Sequence, residues 1–216
     1  MGSFVEGDCA SSFIAPPGWE QGGNETDRDD PRRARPGRAE IPLETVIARR
    51  RESALAKSSW DDPALADHER PLAPRGRRAA ARIAEHLSSQ GIRPALILCS
   101  SSRRTRETLE PVAAVLPDVP TQVEADLYGA GEGTLLERLH RLPGPADSVL
   151  LIGHNPGLQD LALALAGCGD AETLARLRAK MPTAALATLS APVTRWRDLT
   201  PGGAALAAFV VPRELS

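Results

Sequence analysis

The fold of this chain is decided by residues 148–158, which read SVLLIGHNPGL. Their first half is a short apolar run of the kind found in strands that are buried on both faces. From Leu158 onward, apolar residues recur with the spacing of a helix. His154 therefore lies where a strand ends and a helix begins, the place where open α/β sheets bind ligands and where free helix N–H groups favour an anion. The stretch predicts a phosphate-type site at His154, with a purely structural histidine as the alternative.

A second junction of the same kind follows the apolar segment Ala95–Cys99, where residues 100–108 read SSSRRTRET. Arginine binds phosphate oxygens through paired N–H groups and stays charged at any relevant pH. Adjacent arginines cannot all point inward, so Arg103 and Arg106 are expected on a solvated face. The chain has no Gly-x-x-x-x-Gly-Lys-Ser/Thr sequence, which excludes nucleotide hydrolysis of the P-loop kind.

Strand and helix patterns alternate through the rest of the chain, which predicts an α/β fold: a three-layer sandwich with a mostly parallel central sheet. Helical spacing appears around residues 80–87, ended by Gly91, around residues 109–116, with Pro111 as a kink or break, and around residues 135–142. The further predicted strands are Thr45–Ala48, residues 121–127 with Val123, Ala125 and Leu127 on a buried face, residues 184–190 and residues 204–211.

The first 40 residues differ in kind from the rest. The segment from Gly18 to Gly37 is crowded with Gly, Asp, Arg and Pro and has no apolar period. Such a segment buries too little surface to offset the entropy of ordering. We therefore expect residues 1–40 to be a disordered tail or an aberrant N-terminus, and residues 41–216 to form one domain.

Composition narrows the possible partners. The net charge of −2 and the 3% of aromatic residues argue against nucleic-acid binding. No apolar run is long enough to span a bilayer, and the first residues lack the features of a secretory signal, so a cytoplasmic protein is expected. Three scattered cysteines do not match the spacing of a zinc site, and no metal is expected. No pattern indicates the oligomeric state.

Five segments, taken in order, resemble the histidine phosphatase superfamily, in particular its SixA-like phosphohistidine phosphatases of bacteria. The resemblance spans roughly residues 56 to 213. The segments are Ala-Lys-Ser-Ser-Trp at 56–60, Arg-Pro-Leu at 70–72 with Arg75-Gly76, Leu-Cys-Ser at 98–100 through Arg104, Leu-Tyr-Gly-Ala at 127–130, and Gly-His-Asn-Pro-Gly-Leu at 153–158.

This resemblance implies a phosphoglycerate mutase-like sandwich that transfers a phosphoryl group to a histidine and then to water, without metal or cofactor. The substrate would be a phosphorylated small molecule or a phosphohistidine protein. Arg104 matches the second phosphate-clamping arginine and His154 the second histidine. Ser100 and Asn155, which lie within the same two segments, are further phosphate-binding candidates. Glu124 is the candidate acid near the leaving group; Asp126 is the alternative, and both could be ordinary surface carboxylates.

The first motif of the family departs from the pattern here. An Arg-His pair should precede Ala56-Lys57, and this chain has Ala54-Leu55. None of the other three histidines, His68, His86 and His140, ends a strand or follows an arginine. His68, in the segment that resembles Asp-x-x-Arg-Pro-Leu of the family, is the best remaining substitute for the nucleophile. Milder departures are Ser101, where the family usually has Pro, and Glu107, where it usually has Gln.

Two explanations for the missing pair stay open. The chain is a pseudo-phosphatase that binds phosphate without turnover, or residues 1–55 reflect a reading-frame or start-site fault, which the abrupt onset of the match at Ala56 slightly favours. A strand at Thr45–Ala48 would also put Arg49 or Arg50 near the position of the missing arginine. For the sequence as written, impaired phosphatase turnover is expected.

Overall fold

The computed structural model describes residues 41–48 and 65–215. Within them, seven strands form one sheet: β1 (Ile41–Ala48), β2 (Leu96–Ser100), β3 (Thr121–Glu124), β4 (Val149–Ile152), β5 (Ala166–Gly169), β6 (Ala185–Ala191) and β7 (Ala204–Val210). Their order is β3-β2-β4-β1-β6-β7-β5. The pairs β2–β3, β2–β4, β1–β4 and β5–β7 are parallel, whereas β6 runs antiparallel to both of its neighbours. The predicted mostly parallel sheet is confirmed.

In the part of the chain that the structure describes, five helices lie between these strands: α1 (Pro74–Ser89), α2 (Arg103–Val115), α3 (Glu132–His140), α4 (Gly157–Leu165) and α5 (Ala171–Ala179). Alternate side chains of each buried strand face opposite sides of the sheet. Ile97 and Ile152 belong to one apolar core with residues of α1 and α2. Leu98 and Leu151 belong to a second core with residues of α3, α4 and α5. The three-layer sandwich is thereby confirmed.

The central strand β1 determines where the chain emerges near the predicted site. Ile47 of β1 lies opposite Ile152 of β4, so the two parallel strands end at the same edge of the sheet. The strand predicted at Thr45–Ala48 is confirmed as part of this longer β1. Arg49 and Arg50, which follow it, and the Ala54-Leu55 pair lie outside the described residues, as do residues 1–40, for which disorder was expected.

Some predicted details are wrong. The strand expected over residues 121–127 ends at Glu124, and residues 125–127 form a 3-10 turn. Val123 is 49% exposed, because β3 lies at the edge of the sheet, and Leu127 alone of the three predicted apolar side chains is buried. Helix α2 continues through Pro111 without a break. The sequence patterns also missed β5 and α5, since two glycines weaken the strand signal of residues 166–169.

Gly91 has a φ of +66° directly after the last turn of α1, as its predicted role at the helix end requires. No helix in the described part of the chain is long and apolar enough to cross a membrane.

Candidate functional site

The two predicted junctions meet at one edge of the sheet. Cys99 of β2 lies opposite Ile152 of β4 in a parallel pair, so both strands deliver the chain to the same side. Helix α2 begins at Arg103, directly beyond β2, and α4 begins at Gly157, directly beyond His154. Two helices therefore begin at this edge, and the positive ends of their dipoles favour a bound anion.

His154 is held rigidly in this arrangement. Its side chain is 8% exposed, and its Nε2 atom lies 2.8 Å from Oγ of Ser100 and 3.5 Å from Oγ of Ser102. Both serines are fully buried, so the hydroxyls fix one side of the imidazole ring. The opposite nitrogen, Nδ1, faces the Nη2 atom of Arg104 at 3.5 Å. The structure thus brings together the two residues on which the predicted phosphate pocket depends.

Arg104 is held by a short turn that comes from a distant part of the sequence. Its Nη2 atom donates to Oδ2 of Asp67 at 2.9 Å, and its Nη1 atom donates to the backbone carbonyl of the same residue. Only 12% of the Arg104 side chain is exposed, against 44% of that of Asp67. The guanidinium group is therefore positioned beside His154 by a carboxylate that itself reaches solvent.

Tyr128 completes this cluster. Its hydroxyl donates to the same Oδ2 atom of Asp67 at 2.7 Å, and its ring meets that of His154 edge to face at 5.3 Å. Burial, with the neighbouring Asp67 carboxylate as a smaller cause, raises the pKa of the Tyr128 hydroxyl. The hydroxyl accordingly stays a hydrogen-bond donor at neutral pH.

Gly157 allows the loop that follows Tyr128 to approach the start of α4 closely. A Cβ atom on Gly157 would lie 2.0 Å from the carbonyl oxygen of Ala130, closer than atoms can pack. Glycine at this position lets the loop that follows Tyr128 lie directly against the start of α4. The Gly-His-Asn-Pro-Gly segment therefore supplies His154 and also the space for the loop that carries Tyr128.

A second group of polar side chains lies against the same tyrosine. His68 packs edge to face on Tyr128 at 4.9 Å between ring centres. Its Nε2 atom lies 2.9 Å from Oγ of Ser101, and its Nδ1 atom lies 2.6 Å from Oε1 of Glu69. The hydrogen bond with His68 is the main cause that lowers the pKa of the Glu69 carboxyl. Serine, imidazole and carboxylate thus form a continuous hydrogen-bonded chain.

The other sequence-predicted residues have different partners. Both carboxylate oxygens of Glu124 accept hydrogen bonds from Arg138, at 2.7 and 2.8 Å. The Asn155 side chain donates to the carbonyl of Met181 at 2.9 Å and thereby fixes the loop before β6. Ser100 contacts His154 from the buried side. Their predicted roles in catalysis and phosphate binding stay predictions.

The sequence patterns do not by themselves indicate a role for Asp67 or Tyr128. Both lie within or next to segments that carry the family resemblance, residues 70–72 and 127–130, which was the available signal. Arg103 and Arg106 are exposed, as expected. Among the described residues, no three His, Cys, Asp or Glu side chains are grouped so that they could hold a metal ion. What the edge offers instead is a guanidinium group, an imidazole and two helix N-termini, a donor set suited to a tetrahedral oxyanion.

Comparisons with known proteins agree with this arrangement. The sequence profile of the histidine phosphatase superfamily (branch 1) matches residues 59–141, beginning after the Ala54-Leu55 pair. An uncharacterised protein of Mycobacterium tuberculosis (strain H37Rv) is 38% identical over 160 residues, which cover 73% of this chain and 98% of that protein. An uncharacterised chloroplastic protein of Arabidopsis thaliana is 33% identical over 174 residues, 73% of this chain and 74% of that protein.

Two solved structures are similar along nearly their whole length. The protein named phosphohistidine phosphatase SixA from Agrobacterium tumefaciens is 27% identical with a TM-score of 0.62, and the match covers 79% of this chain and 99% of that one. The corresponding protein of Nakamurella multipartitia is 27% identical with a TM-score of 0.61, over 80% of this chain and 96% of that one. With its sheet order, its paired junctions and these relatives, the chain belongs to the histidine phosphatase superfamily.

Proposed function

We propose that this protein is a phosphatase-type domain for phosphohistidine proteins or small phosphomonoesters, in which Arg104 and His154 hold the phosphoryl group. The observation that carries the proposal is the 3.5 Å approach of the Arg104 guanidinium to Nδ1 of His154, between two helix N-termini. The names of the two SixA relatives support the phosphohistidine part of the substrate class. A cytoplasmic location belongs to the same proposal.

Each group has a distinct task in this mechanism. Phosphoryl transfer needs little covalent help from the protein beyond an acceptor, since most of the catalysis is positioning and neutralisation of charge. Arg104 neutralises the equatorial oxygens, and the charged form of His154 donates to another oxygen from Nδ1. The buried hydroxyl of Ser100 keeps the imidazole ring in place. N–H groups at the start of α2 and α4 add further donors.

Asp67 stands in the way of a bound phosphate. Its carboxylate already accepts from Arg104 and from Tyr128, and a phosphate dianion brought to Arg104 would be repelled by it. Substrate binding therefore requires the Asp67 carboxylate to turn away. Because its side chain is 44% exposed, it can do so into solvent.

Turnover by the mechanism of the family is impaired in this proposal. The phosphoryl-accepting histidine of the family has no counterpart at Ala54-Leu55. In serine proteases, loss of the covalent nucleophile costs about 10⁶-fold in rate. The alternative function is a pseudo-phosphatase that binds phosphate or a phosphoprotein without hydrolysing it. The missing histidine at Ala54-Leu55 favours this alternative.

The test combines binding with turnover. Tungstate affinity is measured by calorimetry, and phosphate release is followed with p-nitrophenyl phosphate and with phosphoramidate, for the wild type and His154→Ala. The matched control is His86→Gln, a histidine on the C-terminal part of α1 that is outside the site. We expect His154→Ala to weaken tungstate binding at least ten-fold and to abolish release, with the control unchanged.

The outcomes separate the candidates. Sustained release that depends on His154 supports the phosphatase. Tungstate binding that depends on His154 without any release supports the binding domain. Equal tungstate binding by the wild type and His154→Ala would rule out both functions at this site.

A further inference from the structure

We infer that Ser101 is a nucleophile activated by His68 and positioned by Glu69, and that it accepts a phosphoryl group bound at the start of α2. The inference rests on the proposed function, since the phosphoryl group is the one that Arg104 holds. It assigns a covalent acceptor that does not depend on Ala54-Leu55.

The hydrogen bonds of His68 have the pattern of an activated hydroxyl. Glu69 lies 2.6 Å from Nδ1, which favours the tautomer with the proton on that nitrogen. The Nε2 atom is then free to accept the proton of Ser101, whose Oγ atom lies 2.9 Å away. A hydroxyl is a weak nucleophile until a base stands within this distance, and the base needs a third group to orient it. All three members are present here.

The position of Ser101 in the fold suits attack on an anion. It follows the last residue of β2 and precedes Ser102, the N-cap of α2, so it lies on a strand-to-helix turn. Its own N–H group donates to the carbonyl of Glu124, which anchors this turn to the edge strand. The side chain of Ser101 is partly exposed, whereas the neighbouring hydroxyls of Ser100 and Ser102 are fully buried. Ser101 is the member of this serine run that an incoming substrate can reach.

The charges around Ser101 select a phosphoryl group as the electrophile. Arg104 lies three residues further along, in the first turn of α2, and is held by Asp67, the neighbour of His68. Tyr128 contacts the rings of both His68 and His154, so the two clusters share one wall. A guanidinium group and a helix N-terminus stabilise the three oxygens of a transferring phosphoryl group.

The proposed reaction has two balanced steps. In the first, Ser101 Oγ forms a bond to phosphorus while the bond from phosphorus to the leaving oxygen or nitrogen breaks. The proton of Ser101 passes to Nε2 of His68 and from there to the leaving group. In the second step, water attacks the phosphoserine and gives its proton to His68. His68 then returns the proton to Ser101 as inorganic phosphate leaves.

The first experiment tests whether Ser101 is an activated nucleophile, and it does not depend on phosphate binding at Arg104. The full chain is treated with diisopropyl fluorophosphate, which forms a bond from phosphorus to an activated serine as fluoride leaves, and the labelled peptide is identified by mass spectrometry. We expect labelling at Ser101, none there in Ser101→Ala, and labelling at least 100-fold slower in His68→Gln, because general-base catalysis typically contributes 10²–10⁴-fold. Ser89→Ala, which removes an exposed serine that bonds only to the carbonyl of His86, is the matched control and should label as wild type.

The role of Glu69 is a positioning role and needs its own readout. Glu69→Gln should slow labelling about ten-fold, because the base loses the carboxylate that orients it, and Glu69→Asp should recover part of the rate. A purely structural role would not separate the carboxylate of aspartate from the isosteric amide of glutamine. Circular dichroism shows whether each variant is folded, and a folded His68→Gln that labels at the wild-type rate would overturn the inference.

The second experiment identifies the phosphorylated atom. The protein is incubated with phosphoramidate, quenched, and its bound phosphate is tested for survival in acid, in which a phosphoserine is stable and a phosphohistidine is not. Acid-stable phosphate on the Ser101 peptide supports the inference. Acid-labile phosphate overturns it while leaving the proposed phosphatase in place. Tungstate binding without any bound phosphate overturns Ser101 as acceptor and leaves the binding domain, and absence of His154-dependent tungstate binding contradicts the proposed function itself.

Discussion

Two arginine–carboxylate pairs lie at the same edge of the sheet, and they differ in the hydrogen bonds that join the arginine to the carboxylate. Arg138 on α3 donates from two nitrogens to both oxygens of Glu124 and also to Gln122, and both members of its pair lie on regular elements of the fold. Arg104 shares one carboxylate oxygen with Tyr128, and that carboxylate comes from a 3-10 turn of three residues.

This difference fits a structural role for Arg138 and the proposed ligand-binding role of Arg104. Arg138 and Glu124 satisfy one another, with 20% and 24% of their side chains exposed, and the carboxylate raises the pKa of the Arg138 guanidinium further. Arg104 faces His154 on one side and the partly exposed carboxylate of Asp67 on the other. In the proposed function a phosphate replaces Asp67 with little change in the fold, whereas loss of Glu124 would open the contact between β3 and α3.

The largest expected effect is a loss of stability. It concerns a glycine near each of the two arginine clusters, Gly157 and Gly133. Gly157→Ala places a methyl group where the carbonyl of Ala130 lies and should lower the free energy of unfolding by about 3 kcal/mol, at the upper end for overpacking. Gly133→Ala, on the helix of Arg138, meets nothing within 4 Å and should raise it by up to about 1 kcal/mol, since alanine favours helix. Urea unfolding measures both, and equal stability of the two variants would contradict the close approach.

The next effect concerns the guanidinium groups themselves. Arg104→Ala should weaken tungstate binding about 10- to 100-fold, because a hydrogen bond to a charged group contributes about 1.5–3 kcal/mol. Arg138→Ala should leave tungstate affinity within about two-fold and instead lower the free energy of unfolding by about 1 kcal/mol, since Glu124 loses its partner. Calorimetry measures the tungstate affinities and urea unfolding the stabilities. A binding loss in Arg138→Ala as large as in Arg104→Ala would contradict the different roles of the two arginines.

The smallest effect tests the carboxylates. Asp67→Asn should tighten tungstate binding about three-fold, because it removes a negative charge beside Arg104 that is worth up to about 1 kcal/mol in an exposed pair. Glu124→Gln should leave the affinity unchanged. The same titrations report both, and weaker binding by Asp67→Asn would mean that Asp67 orients Arg104 for the ligand more than it competes with it.

Local patterns were enough for the junctions and for most of the sheet. The apolar run before His154 and the helical spacing after it predicted β4 and α4, and the same reasoning predicted β2 and the placement of Arg104 on α2. Local patterns did not predict which strands pair with one another. Val123 alternates correctly for a half-buried strand, but β3 lies at the edge of the sheet and Val123 is 49% exposed.

Sequence patterns predict which residues stand at the strand ends, because a period of two or 3.6 residues is a local property of the chain. They thereby predict that Arg104 and His154 reach one edge of a parallel sheet. The residues that hold these two side chains in place depend instead on tertiary packing. Asp67 contacts Arg104 from 37 positions away and Tyr128 from 61, and Glu124 finds Arg138 across 14. These contacts depend on how turns and helices pack over the edge of the sheet, and the periodicity of the sequence does not predict that packing.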